Sequence, residues 1–227
     1  MILEPSKQKN LSLNKIVLSL NFFIILWAVV TDAWGYSDLF DFSNGKYIYG
    51  YISRLIWVIP AFMLIVKYSN SLYMSRKQLF SAPRFNKLFI ITILVSIVLV
   101  FFEMLIYHRG LWFNKEVNLS LEIIKLIVVG FVEETVFRGW GYNALAQIVS
   151  DRQAIIISTI LFVLLHWPAY FIKFYRFGTF DFMGIALQSV SVLVWGVVFC
   201  MLLKKGKSLW NPIIVHAFYD IMVVLFT

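Results

Sequence analysis

The sequence contains little of what a water-soluble protein needs. Only 14% of its 227 residues are charged, whereas soluble domains carry about 25%. A single cysteine, Cys200, excludes a disulfide framework and a metal site built from cysteines. With five prolines and eleven glycines, the chain has no tract that resembles an interdomain linker. These shortages exclude a secreted enzyme and a cytosolic globular domain.

Apolar residues take the place of the missing charges. They make up 61% of the chain, and the mean hydropathy is +0.82, while soluble domains are about 45–50% apolar. A water-soluble core could not bury this many apolar side chains, so most of them must face the lipid bilayer. The formal net charge of +8 is then explained by basic loops on the cytoplasmic side of a membrane, and a nucleic-acid partner is excluded.

Seven hydrophobic stretches are long enough to cross a bilayer, whose apolar core of about 30 Å requires about 20 helical residues. The pattern therefore predicts an all-α polytopic membrane protein with about seven transmembrane helices. Residues 1–118 would hold three of them, and residues 119–227 would form a four-helix core. Pro168 is expected to bend or end the fifth helix. The predicted spans are 15–34, 47–67, 87–107, 119–146, 153–172, 182–203 and 208–227.

The distribution of lysine and arginine predicts the orientation in the membrane. With the N-terminus inside, about twelve basic residues fall in cytoplasmic segments, about five in external ones and three within spans. This bias favours a multi-pass protein of the cell membrane with a cytoplasmic N-terminus and an external C-terminus. The first hydrophobic stretch has a basic flank but only a weak cleavage site at Thr31 and Ala33, which favours a retained helix over a signal peptide.

Ionisable residues lie at similar depths in three of the last four spans. At 1.5 Å per residue, Glu133 and His166 lie about 20 Å from the inner ends of their helices. On the same scale Asp220 lies about 18 Å deep, and Arg138 and His216 about 12 Å. Because charged groups in the membrane interior are costly, such a cluster indicates a functional site. By contrast, Arg54 and Glu103 near the outer ends of their spans are expected to reach the interface or to pair with each other.

The spacing within the cluster predicts which side chains share a helical face. His216 and Asp220 are four residues apart and therefore lie on one face, as do Glu134 and Arg138. The second pair is suited to hold the arginine inside the membrane. Glu133 is rotated by about 100° from Glu134, so the two carboxylates are expected to serve different partners.

These residue types suit hydrolysis by general acid–base catalysis. Glu133 with His166 could polarise a water molecule, and His216 with Asp220 could stabilise the oxyanion that forms when water attacks an amide. The Phe162 ring, one turn before His166, would restrict the imidazole. The same residues could instead bind zinc, in which case Glu133, His166 and His216 are the candidate ligands. Spacing alone leaves both chemistries open, because no HExxH pattern is present.

Together these motifs resemble those of the CPBP family, the CAAX protease and bacteriocin-processing (Abi) intramembrane endopeptidases, which include the type II CAAX prenyl endopeptidases. The family pattern is EExxxR, FxxxH and HxxxN/D on successive core helices. The resemblance covers about residues 119–227, where the matching residues are Glu133, Glu134, Arg138, Phe162, His166, His216 and Asp220.

The resemblance implies a glutamate-dependent intramembrane peptidase acting on a membrane-associated protein or peptide precursor. Glu133 and His166 would activate water, His216 and Asp220 would form the oxyanion side, and the other motif residues would support them. No cofactor is required on this reading, although some relatives are described as metalloproteases. This chain carries Asp220 where prenyl-processing members carry asparagine. An ionised aspartate cannot donate a hydrogen bond, so Asp220 is either protonated or orients His216.

Two other classes of protein remain compatible with the sequence. A non-catalytic immunity or regulatory protein could keep the fold and bind a peptide or a membrane partner. A proton-coupled transporter could use the same ionisable residues as a relay, although no repeated half is visible. In the favoured peptidase, the last four helices should enclose a polar cavity that opens towards the cytoplasm or laterally to lipid.

Overall fold

The structure, a computed structural model, describes residues 11–36, 45–110, 112–115 and 118–226. These residues form helices joined by turns, without a β-strand among them, so the predicted all-α class is confirmed. Lys7 and Lys9, which entered the orientation argument, lie outside the described residues. The helices are α1 Leu13–Tyr36, α2 Gly45–Lys67, α3 Arg76–Leu79, α4 Lys87–His108, α5 Leu119–Glu134, a π-helical segment Thr135–Tyr142, α6 Asn143–Leu145, α7 Asp151–Phe177, α8 Phe182–Gly206 and α9 Trp210–Phe226.

In the part of the chain that the structure describes, five helices are long and apolar enough to cross a membrane: α1, α2, α4, α7 and α8. They correspond to five of the seven predicted spans and support a multi-pass membrane protein. The predicted fourth span is built from α5, the π-helical segment and α6 in direct succession. The predicted seventh span corresponds to α9, an apolar helix of 17 residues. A helix that crosses a bilayer needs about 20 residues, so α9 is shorter than this length.

Polar side chains define where the core helices begin. Asn118 Oδ1 accepts a hydrogen bond from the backbone N–H of Leu121 at the start of α5. At the start of α7, Ser150 and Gln153 form a reciprocal capping box, which satisfies backbone donors that a helix leaves unpaired. The caps fix the registers of the two helices that carry the EExxxR and FxxxH motifs.

Of the two effects expected of Pro168, a bend or an end of the helix, the second does not occur. Helix α7 continues through this residue to Phe177 and terminates at Gly178, whose φ of 68° lies in the left-handed region that glycine favours. Prolines are tolerated within transmembrane helices because neighbouring groups satisfy the freed carbonyl. The longer α7 brings Lys173 next to the cavity described below.

The π-helical segment is the centre of the packing and is entirely buried. Its Trp140 donates a hydrogen bond from Nε1 to Ser19 Oγ of α1 at 2.8 Å. Just after it, Asn143 binds the backbone of Met74, accepting from the N–H at 2.6 Å and donating to the carbonyl at 2.9 Å. The N-terminal helices and the connection after α2 are thereby fastened to the motif-bearing core.

Two polar residues of the N-terminal half have separate partners instead of each other. Glu103 Oε1 accepts a hydrogen bond from the Tyr219 hydroxyl at 3.2 Å, and the Arg54 guanidinium lies over the Trp27 ring at 4.9 Å from its centroid. The predicted alternative in which Arg54 pairs with Glu103 is therefore wrong. Cys200 is a free and fully buried thiol.

Helix α8 packs closely on α7 at Gly196. A Cβ atom built there would lie 2.7 Å from the Thr159 methyl carbon and 3.3 Å from Arg138 Nη2. We therefore expect Gly196→Ala to lower the free energy of unfolding by about 1–3 kcal/mol, the usual range for overpacking. Thermal unfolding in detergent micelles tests this, with Gly110→Ala as the control because nothing lies within 4 Å of that position. Equal stabilities of the two variants would contradict the prediction.

Candidate active site

The adjacent carboxylates Glu133 and Glu134 have different surroundings. Glu134 is fully buried, and its Oε1 accepts a hydrogen bond from Arg138 Nη1 at 3.1 Å. The side chain of Glu133 keeps 13% of its surface exposed and lines a cavity. The helical rotation between neighbouring residues produces this difference, as the sequence had indicated.

Arg138 is held on several sides although it lies inside the membrane core. Besides Glu134, its guanidinium donates from Nη2 to the carbonyl oxygen of Gly196 at 3.2 Å. Its carbon Cζ lies 4.1 Å from the centroid of the Phe162 ring and 5.1 Å from that of Phe199. These contacts compensate the charge and join the π-helical segment to α7 and α8.

Carboxylates approach both ring nitrogens of His216. Its Nδ1 lies 2.9 Å from Glu134 Oε1, and its Nε2 lies 3.5 Å from Asp220 Oδ2 and 3.9 Å from Glu133 Oε2. The Phe199 ring stacks on the imidazole at a centroid distance of 4.8 Å. A nitrogen that faces a carboxylate oxygen donates a proton to it, so this arrangement favours His216 as a hydrogen-bond donor.

His166 has the opposite arrangement. Its Nδ1 lies 2.9 Å from the backbone carbonyl oxygen of Phe162, which fixes the proton on that nitrogen because a carbonyl can only accept. The lone pair of the neutral ring then resides on Nε2. The Phe162 ring meets the imidazole edge-to-face at a centroid distance of 5.1 Å, so this phenylalanine contacts both His166 and Arg138.

Two cavities meet at Glu133 and His166. The smaller has a volume of about 300 Å³ and lies among α5, α7, α8 and α9, where His216 and Asp220 also line it. The larger, of about 420 Å³, extends to Lys173 on α7. The residues that line both cavities are Glu133, His166 and Gln188.

The larger cavity extends along α7 towards the turn that joins this helix to α8. Its walls include Lys173 of α7 and Asp181, which precedes α8. Because α7 continues past Pro168, its last turns lie along this cavity. The expected opening towards the cytoplasm or towards lipid stays a prediction.

Three contributors to the site were absent from the sequence interpretation. Gln188 belongs to α8, which carries none of the three motifs, and Trp27 of α1 lines the larger cavity. The carbonyl of Gly196 is the third, as an acceptor for Arg138. Gln188 was detectable as an amide within a hydrophobic span, since polar side chains in membranes need partners. A backbone carbonyl gives no such signal.

The side chains of the candidate site are not arranged as ligands of a metal ion. In the part of the chain that the structure describes, no group of three or more histidine, cysteine, aspartate or glutamate residues has an arrangement that could hold one. His216 also directs both nitrogens at carboxylates, whereas a metal-bound imidazole presents a lone pair to the ion. The proposed zinc ligands Glu133, His166 and His216 therefore line one cavity without forming a coordination site.

Comparison with known proteins agrees with the motif pattern. Residues 116–222 match the family described as Type II CAAX prenyl endopeptidase Rce1-like, so the resemblance to the CPBP family is confirmed over this segment. The match implies a CAAX-type membrane protease. No curated protein and no solved structure matches the chain.

Proposed function

We propose that this protein is an intramembrane endopeptidase that hydrolyses a peptide bond of a membrane-associated protein or peptide precursor. One observation carries the proposal: Glu133 and His166 share a cavity inside the helical bundle with His216 and Asp220. A partly exposed carboxylate, an imidazole with a free nitrogen and a proton-donating imidazole are the groups that amide hydrolysis requires.

In the proposed mechanism, Glu133 accepts a proton from a water molecule that His166 Nε2 helps to orient. The water oxygen adds to the carbonyl carbon of the scissile bond, and the π electrons of the C=O bond move onto its oxygen. The Nε2–H of His216, whose approach to Asp220 Oδ2 is long at 3.5 Å, donates to the resulting oxyanion. When the C–N bond breaks, the protonated Glu133 delivers the proton to the leaving amine, and the new carboxyl group remains on the other fragment.

Asp220 serves in this proposal as an acceptor that orients His216. Its Oδ2 lies 3.5 Å from Nε2 of the ring, on the opposite side from the Glu134 contact at Nδ1. Of the two alternatives that the sequence left open, this geometry supports orientation over donation by a protonated carboxyl. Glu134, Arg138 and Phe162 act as supports.

Glutamate chemistry predicts that cleavage does not depend on a divalent metal. His216 uses its nitrogens on carboxylates, so we assign it no ligand role. We expect cleavage by the purified protein to keep its rate within about twofold after treatment with 1,10-phenanthroline or EDTA. Loss of activity that zinc restores would replace this mechanism with that of a metalloprotease.

The proposed activity is tested by comparing peptides from cells that carry the wild type or Glu133→Ala at equal levels in the membrane. Membrane-associated and released peptides are both identified by mass spectrometry. Peptides that depend on Glu133 establish proteolysis and identify the substrate. A biological effect that survives in the variant without any such peptide would instead support the non-catalytic partner, and proton-linked uptake by proteoliposomes would support the transporter.

The same proposal places the N-terminus in the cytoplasm and the C-terminus outside, because of the lysine and arginine bias. In that orientation the larger cavity lies towards the external side of the active site.

A further inference from the structure

Gln188 is the polar residue of α8 that shares both cavities with Glu133 and His166. Its side chain makes no hydrogen bond with any residue that the structure describes, and it is only partly buried. The next residue on α8, by contrast, finds its partners within the protein. The adjacent Ser189 hydroxyl donates to the Ile185 carbonyl at 2.6 Å and accepts from Trp167 Nε1 at 3.0 Å. Gln188 therefore keeps two N–H donors free beside the proposed water-activating pair.

A glutamine amide that keeps its donors free in the wall of a cavity inside a membrane bundle calls for a hydrogen-bonding partner, because leaving such a group unpaired away from water is unfavourable. Glutamine side chains within membrane helices accordingly form hydrogen bonds to neighbouring helices. Since no helix supplies a partner for Gln188 among the described residues, the partner is expected to be a molecule that enters the cavity.

The charge of the cavity indicates what that molecule presents. Glu133 and Asp220 line the smaller cavity, and their carboxylates can only accept hydrogen bonds when ionised. The hydroxyl of Tyr219, which also lines it, is directed to Glu103. An oxyanion formed there would have His216 on one side and would need a further donor. Where the family pattern allows an asparagine, this chain has Asp220, which in ionised form cannot provide one.

We propose that Gln188 is a catalytic residue whose side-chain amide donates a hydrogen bond to the scissile carbonyl oxygen and to the oxyanion that follows. It forms no covalent bond and transfers no proton, and the water addition proceeds as described above. The role rests on the proposed peptidase activity. It gives α8 a chemical function in addition to its support of Arg138 through the Gly196 carbonyl.

The test measures kinetics on a synthetic peptide that corresponds to the substrate released by the wild type but not by Glu133→Ala. Gln188→Met keeps the length of the side chain and removes its donors. Loss of one oxyanion donor lowers kcat by about 10²–10³-fold, and we expect this loss with KM and the unfolding temperature near those of the wild type. Ser191→Ala is the matched control, because Ser191 lies on α8 and lines the smaller cavity but not the larger.

Each other outcome overturns the role of Gln188. These outcomes are a kcat within twofold of the wild type, an effect on KM alone, an equal loss in Ser191→Ala, or a loss that follows a fall in stability. In all of them Glu133-dependent cleavage persists in the wild type, so the proposed function stands. Failure to find any Glu133-dependent peptide rejects the proposed function and the role of Gln188 together.

Discussion

Replacing Glu133 with glutamine is expected to lower kcat by about 10³-fold while leaving the protein folded. General acid–base groups contribute about 10²–10⁴-fold, and glutamine keeps the size of the side chain but cannot accept the proton of water. The folded state should tolerate the change, because Glu133 is partly exposed in the cavity and its nearest ionic partner, His216 Nε2, is 3.9 Å away. Single-turnover cleavage of the identified peptide in detergent or nanodiscs provides the measurement.

Glu134→Gln is the matched control for this prediction. Glu134 is fully buried and contacts both Arg138 and His216, so its replacement should lower the unfolding temperature as well as the rate. Glu133→Gln would thus lower the cleavage rate alone, whereas Glu134→Gln would lower both the rate and the stability. A Glu133→Gln protein that cleaves at the wild-type rate would remove Glu133 from the mechanism.

The largest loss of stability is expected for Arg138→Met. The guanidinium has no exposed surface, and its removal leaves the buried Glu134 with His216 as its one remaining ionic partner among the described residues. Breaking one side of a buried ion pair costs about 3–5 kcal/mol, and the contacts with the two flanking phenylalanine rings are lost as well. Equilibrium unfolding in mixed micelles should show this decrease.

Arg152→Met serves as the control, because Arg152 is exposed and such substitutions usually change stability by less than about 0.5 kcal/mol. The double variant Glu134→Gln/Arg138→Met should be less destabilised than Arg138→Met alone, because it no longer buries an uncompensated carboxylate. If Arg138→Met unfolds like the wild type, the buried ion pair does not stabilise the bundle.

Helical periodicity was sufficient to predict how the motif residues relate within each helix. The periodicity predicts Glu134 and Arg138 on one face of the helix and Glu133 on another. In the structure Glu134 pairs with Arg138, and Glu133 faces the cavity. The fold class followed from composition, because so apolar a chain can only bury its surface in lipid. The match to the Rce1-like family over residues 116–222 agrees with the segment that the motifs marked.

Other features depend on contacts between helices, which spacing along the sequence does not contain. The approach of His216 to Glu134 at 2.9 Å requires α9 to pack on α5. The π-helical segment Thr135–Tyr142 has no distinctive sequence signal. The alternative in which Pro168 ends its helix was wrong, because a local rule for proline was applied where the tertiary packing of α7 decides; a bend at this residue stays a prediction.

The pairing of α5 with α9 also bears on how the protein enters the membrane during synthesis. Among the described residues, neither helix is one of the five that are by themselves long and apolar enough to cross a membrane, and α5 carries Glu133 and Glu134. The charge of Glu134 is compensated by Arg138 within the same span and by His216 of α9, which lies 82 residues further along the chain. We therefore expect α5 to be held stably in the membrane only after α9 has been synthesised and packs on it, so that one folding step completes both the compensation of this carboxylate and the active site.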